Sequence, residues 1–222
     1  MAEYLAVPVR NLVPLGDDVD PIDAAPLADA GLTPYHAIKR ALPHLGGGGR
    51  SALVIGLGGL GMIGVQILKA LTGATVIATD MKPEAMAQAE GYGAITVPGG
   101  EDQGARIREL TGGRGADAVF DFVGVDSTMA LAAASVAQCG AVTIVGIGGG
   151  TLAWNFFTMP YEVNFSSTYW GTIEDLHEVV ALYRADQIVP SVERYSLDDA
   201  VAAYQKMIDG KLNARAVVVP HL

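Results

Sequence analysis

The 222-residue sequence predicts an α/β domain built on a doubly wound parallel sheet, with short irregular extensions at both ends. Three observations predict it. From Ser51 onward, short Val-, Ile- and Ala-rich runs alternate strictly with amphipathic segments. Half of the residues are apolar and glycine occurs 28 times, as expected of strands buried on both faces and joined by tight turns. The first of those turns carries the spacing G-x-G-x-x-G.

Residues 1–50 are the irregular part. Met1 to Val9 is expected as a short strand, Pro14, Pro21 and Pro26 break the next segment, and Asp29 to Leu42 is expected as a helix. The Gly46 to Gly49 tract marks a turn. Strands are then expected at Ala52 to Gly56, Thr75 to Asp80, Ala94 to Pro98, Asp117 to Val123 and Ala141 to Ile147. Helices are expected near 60–72, 83–91, 101–111 and 126–138. A sixth strand at Asn164 to Gly171 and a helix at Ile173 to Arg184 complete the second half of the sheet. This divides the chain into a lead-in with a linking helix (1–50), the sheet domain (51–186) and a C-terminal helix and strand (187–222).

Composition excludes several classes. Five glycines, Gln66 and Lys69 interrupt the apolar run Ala52 to Leu71, which therefore reads as strand, turn and helix, not as a membrane span. No export signal opens the sequence, and a cytoplasmic protein is expected. A formal charge of −10 without a basic patch argues against nucleic acid as a partner. Cys139 is the one cysteine, so an intrachain disulfide and a multi-cysteine zinc site are excluded, and it reads as a buried structural thiol.

The chemistry concentrates in Gly56-Leu57-Gly58-Gly59-Leu60-Gly61, at the end of the first strand and the opening of a helix. Gly56 can make the tight turn, Gly58 lets the backbone approach a pyrophosphate, and Gly61 lets the helix pack close to the sheet. The phosphate would meet free N–H groups at the helix N-terminus. Asp80 ends the second strand, nineteen positions after Gly61. A carboxylate there can accept hydrogen bonds from ribose hydroxyls and repels a 2′-phosphate, which favours NAD over NADP on a Rossmann fold. Lys82 is a second candidate at the ribose. Ligands of such sheets lie beyond the carboxyl ends of the strands, which adds Phe122-Val123-Gly124 and Val145-Gly146-Ile147.

Several blocks in order resemble the zinc-type medium-chain alcohol dehydrogenases, especially the actinobacterial secondary-alcohol type. They are Met1-Ala-Glu-Tyr, Ala28-Asp29-Ala-Gly-Leu-Thr-Pro-Tyr-His36, Val54 to Gly61, Val119-Phe-Asp-Phe-Val-Gly124, Val145-Gly-Ile147, Tyr169-Trp-Gly171 and Arg215-Ala-Val-Val-Val-Pro220. The resemblance implies that a catalytic domain supplying a cysteine and a histidine to zinc precedes this region, and that the two outer parts of the chain, 1–50 and 187–222, are remnants of that domain, which the sequence otherwise lacks. Of those ligands only the one matching Asp29 is in this sequence, and one carboxylate cannot complete a zinc site. It further implies that Arg215 reaches the cofactor pyrophosphate, that Tyr169 and Trp170 line the substrate pocket beside the nicotinamide, and that two copies join through the last strand near Asn164 to Thr168. The end segments Met1 to Val9 and Ala214 to Pro220 would have to find new partners.

Two functions emerge as expectations. One is a dehydrogenase or carbonyl reductase that moves a hydride between NAD(H) and a small alcohol or ketone without a complete zinc site, with Tyr169, Tyr35 and His36 as candidate proton donors to the carbonyl oxygen. The other is an NAD(H)-binding module with little catalysis. An S-adenosylmethionine enzyme fits the downstream blocks poorly.

Overall fold

The computed structural model describes residues 2–212 and 214–220. Six strands form one sheet: β1 (Ser51–Ile55), β2 (Thr75–Thr79), β3 (Ile95–Thr96), β4 (Ala116–Asp121), β5 (Val136–Ile144) and β6 (Asn164–Ser167). Their order is β3-β2-β1-β4-β5-β6 and every pairing is parallel. This is the doubly wound order, with its switch point between β1 and β4. Eight helices flank the strands among the described residues: α1 (Pro21–Ala24), α2 (Leu32–Leu45), α3 (Gly59–Leu71), α4 (Pro83–Gly91), α5 (Gln103–Leu110), α6 (Asp126–Ser135), α7 (Ile173–Arg184) and α8 (Ala200–Ile208). A separate parallel pair, β7 (Val192–Ser196) and β8 (Arg215–Val219), lies in the C-terminal part.

Strand alternation decides which side chains meet which helices. Ala52 and Val54 of β1, Val76 and Ala78 of β2, and Ala118 and Phe120 of β4 face one layer, where they pack with Ile38 of α2, Val65 and Leu68 of α3 and Val179 of α7. Leu53, Ile55, Ile77 and Val119 face the other, against Ile107 of α5 and Ala132 of α6. Both faces are therefore apolar, which is why the strands read as continuous hydrophobic runs. At the amino-terminal end of the sheet, buried Asp117 accepts from Arg50 Nη1 at 2.7 Å and from the Ser51 N–H at 2.9 Å. Burial would push its carboxyl up, but these partners and Arg114 hold it below the usual range.

The expected spans of α4 and α7 coincide with those observed, and three local expectations need correction. Residues 2–8 form no strand, and a single 3-10 turn comes after them at Val9–Asn11; Met1 lies outside the described residues. Tyr4, Leu5, Val7 and Val9 in this stretch and Leu12 just after it stand exposed. Next, α6 stops at Ser135 and β5 begins at once, with a register irregularity before Ala141. At this junction Gly115 packs so closely that a Cβ there would lie 2.7 Å from the Ser135 carbonyl oxygen. Finally, Cys139 is exposed, not buried. It sits at φ +59° in the β5 irregularity, and its thiol lies 3.4 Å from Glu162 Oε2, which pushes the thiol up.

The C-terminal part also differs in one element from the expected helix and strand. The strand at Arg215–Val219 is present, and its partner is β7, whose polar sequence Val192-Glu-Arg-Tyr-Ser196 gave no strand signal. Arg194 on β7 reaches Asp20, the N-cap of α1, and Asp23 within α1 at 3.1 and 2.9 Å, which ties the C-terminal part to the lead-in.

Candidate functional site

The glycine turn does three separate jobs. Gly56 has φ +88°, a left-handed conformation that side chains rarely adopt, and lets the chain turn off β1. A Cβ on Gly61 would fall 1.8 Å from the Gly56 carbonyl oxygen, so α3 starts against the turn only because Gly61 is bare. Gly58 faces open space, with nothing within 4 Å of where its Cβ would lie. It is the N-cap of the 13-residue α3, and no side chain caps that end. Gly59 and Leu60 form the first turn after it, with Leu60 half-buried against the α3 core, so first-turn N–H groups remain free for a ligand above Gly58.

Asp80, just past β2, ties this turn to the next one. Its Oδ2 accepts from the Leu57 N–H at 2.6 Å and its Oδ1 from the Lys82 N–H at 2.9 Å. Lys82 in turn donates to the Gly210 carbonyl at 3.3 Å, across the groove from the C-terminal segment. The groove, of about 350 Å³, is lined by Gly58, Gly59, Asp80, Lys82, Ser191 and Arg215 among others. A buried amide fixes its far wall: Gln66 on α3 accepts from the Val189 N–H at 2.7 Å.

A second opening, about 470 Å³, lies beyond β5 and β6 and includes Gly124, Gly146, Ile147, Ser166 and Ser167. Here two turns touch backbone to backbone. A Cβ on Gly146 would lie 2.2 Å from the Val123 carbonyl carbon, and one on Gly124 would lie 2.2 Å from the Gly146 carbonyl oxygen. Asp121 builds this contact: its carbonyl accepts from the Val145 and Gly146 N–H groups at 2.8 and 2.9 Å. Its Oδ1 accepts from Val123 and Gly124 at 2.9 and 3.0 Å, while buried Oδ2 has no partner among the described residues. Val145 is buried beneath the turn, Val123 is at its rim, and Ile147 is 93% exposed.

The proposed proton donors separate into two groups. Tyr169 and Trp170 stand exposed just after β6, outside the lining of both openings, with ring centroids 4.6 Å apart and Trp170 at φ +50°. Tyr35 and His36 also line neither opening and sit in the contact between α2 and α7. The Tyr35 hydroxyl donates to Glu178 Oε2 at 2.9 Å, and burial together with that carboxylate pushes its pKa up to about 12. His36 Nδ1 donates to Asp175 Oδ2 at 2.7 Å, and Lys39 bridges Asp175 and Glu178. Burial would raise the Asp175 carboxyl, but the Thr172 N–H, Lys39, His36 and the Thr172 hydroxyl together hold it far below the usual carboxylate range. The network braces the segment that carries Tyr169 and Trp170, since a Cβ on the next residue, Gly171, would lie 2.7 Å from Leu32 Cδ1 and 3.0 Å from His36 Cβ.

Arg215 and Asp29 meet each other. Arg215 Nη2 donates to Asp29 Oδ2 at 2.6 Å, while the arginine stem lies over the glycine turn, its Cδ 2.5 Å from where a Gly59 Cβ would stand.

A six-stranded parallel sheet with an open glycine turn at its switch point, an acid at the end of β2 and a guanidinium over the turn defines a dinucleotide-binding α/β protein. The profile of the zinc-binding dehydrogenases matches residues 59–185, and the chain belongs to that family. It is 31% identical over 222 residues to a D-arabinose 1-dehydrogenase (NADP(+)) of Saccharolobus solfataricus and 32% identical over 225 residues to an NAD-dependent alcohol dehydrogenase of Sulfurisphaera tokodaii. Each match takes in 99% of this chain and 64% of the relative, so the chain spans just under two thirds of their length. Among solved structures, it superposes on 60% of the alcohol dehydrogenase of Aeropyrum pernix with a TM-score of 0.83, at 36% identity over 91% of this chain. It superposes on 59% of the acetophenone reductase of Geotrichum candidum in complex with NAD with a TM-score of 0.81, at 33% identity over 95% of this chain.

The family name implies zinc, and the donor set here does not fit it. Asp29 is held by a guanidinium, which opposes a dication on the same carboxylate, and its other oxygen lies 3.5 Å from the Thr33 hydroxyl. No group of three or more His, Cys, Asp or Glu among the described residues is placed to hold a metal ion. His44 contacts the Cys139 carbonyl at 3.1 Å, and His221 lies outside the described residues. The dinucleotide does fit: open space above Gly58, free helix N–H groups, Asp80 and Arg215 share one groove. Sequence reasoning missed Asp121, Gln66 and Asp175. Gln66 had a signal, a lone amide in an apolar helix, and so did Asp175, as the acid of the Thr172-Ile-Glu-Asp175 capping box; Asp121 carries none outside its tertiary setting.

Proposed function

We propose that this chain binds NAD(H) at the glycine turn and provides the cofactor half of an alcohol dehydrogenase or carbonyl reductase. The observation that carries the reading is the shared groove of Gly58, Gly59, Asp80 and Arg215. The Gly58 turn and the α3 N-terminus receive the pyrophosphate, and Arg215 adds a guanidinium fork. Asp80 and Lys82 take the adenosine ribose, and Val123, Val145, Gly146 and Ile147 form the floor for the nicotinamide end. The bound dinucleotide supplies or accepts the hydride; the protein orients it and excludes water from one face. Asp80 favours NAD, although one relative is named for NADP(+). NADH fluorescence titration, continued with a panel of small ketones, tests the reading: saturable binding and then ketone-dependent oxidation support it, and absence of binding ends it.

A second reading, an NAD(H)-binding module with little catalysis, draws on the placement of Tyr35 and His36. Both are engaged with carboxylates of α7, which leaves Tyr169 as the exposed hydroxyl of the three candidates. Binding without oxidation, and no change in background rate on Tyr169→Phe, would favour it.

Among the described residues no helix is long and apolar enough to cross a membrane. A homodimer through β6 completes the proposal. No described strand covers the outer edge of β6, and the loop before it exposes Trp154, Phe156, Phe157 and Tyr161, with the Phe156 ring edge-on to Phe157 and tilted against Tyr161. Sedimentation should give a dimer, and Phe156→Asp a shift toward monomer.

A further inference from the structure

We infer that Asp29 is a positioning residue for the cofactor pyrophosphate, acting through Arg215, and not a metal ligand in this chain. The inference rests on the proposal that the groove takes NAD(H). Arginine carries five N–H donors on a planar fork, and the two edges can serve different acceptors. One edge is taken, because Nη2 donates to Asp29 at 2.6 Å. The other edge stands over the glycine turn: Nη1 lies 3.4 Å from where a Gly59 Cβ would be, and Cδ and Cγ lie 2.5 and 3.3 Å from the same point. Gly59 is bare so that the arginine stem can lie across it, and Gly58 beside it leaves open space for the ligand.

A free arginine side chain has many rotamers, and holding it costs entropy that a ligand must otherwise supply on binding. Asp29 meets that cost beforehand. It is well placed to do so, because the 3-10 turn Ala25–Ala28 and the start of α2 fix its backbone on both sides. Its negative charge also opposes an anionic ligand. Asp29 and Arg215 side chains are 46% and 37% exposed, so water weakens both effects, but it weakens the through-solvent repulsion of the ligand more than the direct 2.6 Å hydrogen bond that restrains the rotamer. Orientation is therefore expected to outweigh repulsion.

The test is a ligand series on the full chain as wild type, Asp29→Ala, Arg215→Ala and the double variant. NADH is titrated by fluorescence; ADP-ribose and adenosine are titrated by displacement of NADH. Asp29→Ala is expected to weaken NADH and ADP-ribose by about three- to fivefold. Adenosine, which has no phosphate, should be unchanged. Arg215→Ala is expected to weaken NADH by about tenfold or more, and adding Asp29→Ala to it should cost nothing further. An equal loss for adenosine, or a loss that persists in the Arg215→Ala background, would show a general structural role and overturn the inference. Tighter NADH binding by Asp29→Ala would overturn it too, by showing that repulsion wins. Zinc chloride titrated alone into the wild type should show no affinity that depends on Asp29; if it does, Asp29 is a metal ligand and the inference fails. Wild-type protein that does not bind NADH overturns the cofactor reading and this inference together. Normal wild-type binding with an unaffected Asp29→Ala variant overturns only the inference.

Discussion

Arg215 and Asp29, 186 positions apart, form a 2.6 Å ion pair over the glycine turn. The pair joins the last strand to the segment before α2, and it lies at one wall of the groove that holds Asp80 and Lys82. The pyrophosphate end of the site thus draws on three stretches of chain: the glycine turn with the start of α3, the segment before α2, and β8.

The glycine turn should tolerate no side chain at Gly61. Gly61→Ala puts a Cβ 1.8 Å from a backbone oxygen, which only movement of α3 can relieve. Overpacking of this kind costs about 3 kcal/mol or more, which for a domain of this size lowers Tm by roughly 6–12 °C. Calorimetry measures the shift, and an unchanged Tm would mean the helix is not pressed on the turn.

Asp80→Ala should weaken NADH by about tenfold, since it removes ribose acceptors and frees the Leu57 N–H that Asp80 now holds. NADPH should lose less or gain, because the same change removes repulsion of its 2′-phosphate. Parallel titrations with the two cofactors read the ratio. Equal losses would count against a ribose role.

The Asp175 network predicts acid sensitivity. The Asp175 carboxyl is held below its ordinary value in the folded chain, so its contribution is fully present above the unfolded pKa of about 3.9 and disappears as pH falls below it. Asp175→Asn should therefore cost about 2 kcal/mol near neutral pH, and the gap to wild type should narrow below about pH 4. Urea unfolding at several pH values tests this. A pH-independent gap would mean that the lost contribution is packing, not charge.

Tyr35→Phe separates structure from catalysis. With its hydroxyl on Glu178 inside the α2–α7 contact, the variant should lose about 1 kcal/mol of stability and leave NADH affinity unchanged. Any ketone turnover should survive it. If turnover is lost at unchanged stability, Tyr35 reaches the substrate and its assignment to the helix contact is wrong.

Much of the site was legible because its parts are local. Gly56, Gly58 and Gly61 announce a turn whose backbone demands are met within six residues, and Asp80 falls where the next strand must end. Tyr35 and His36 show the limit of reading by residue type: both can donate protons, yet α2 turns them toward carboxylates on α7. Cys139 looked buried because it falls between a helical segment and an apolar strand, and it lies exposed in the irregular stretch of β5. For β7, polar residues hid a strand that exists only because β8 pairs with it.

Alternating strands and helices, the glycine spacing and the acid after β2 were sufficient for the doubly wound sheet and its cofactor turn, because these depend on backbone geometry and periodicity over a few residues. The pairing of Asp29 with Arg215, the reach of the Asp121 carbonyl to Val145 and Gly146, and the hold of His36 and Lys39 on Asp175 were settled only by the folded chain. Each joins groups whose partners are chosen by distance in space, and one-dimensional order carries no record of that distance.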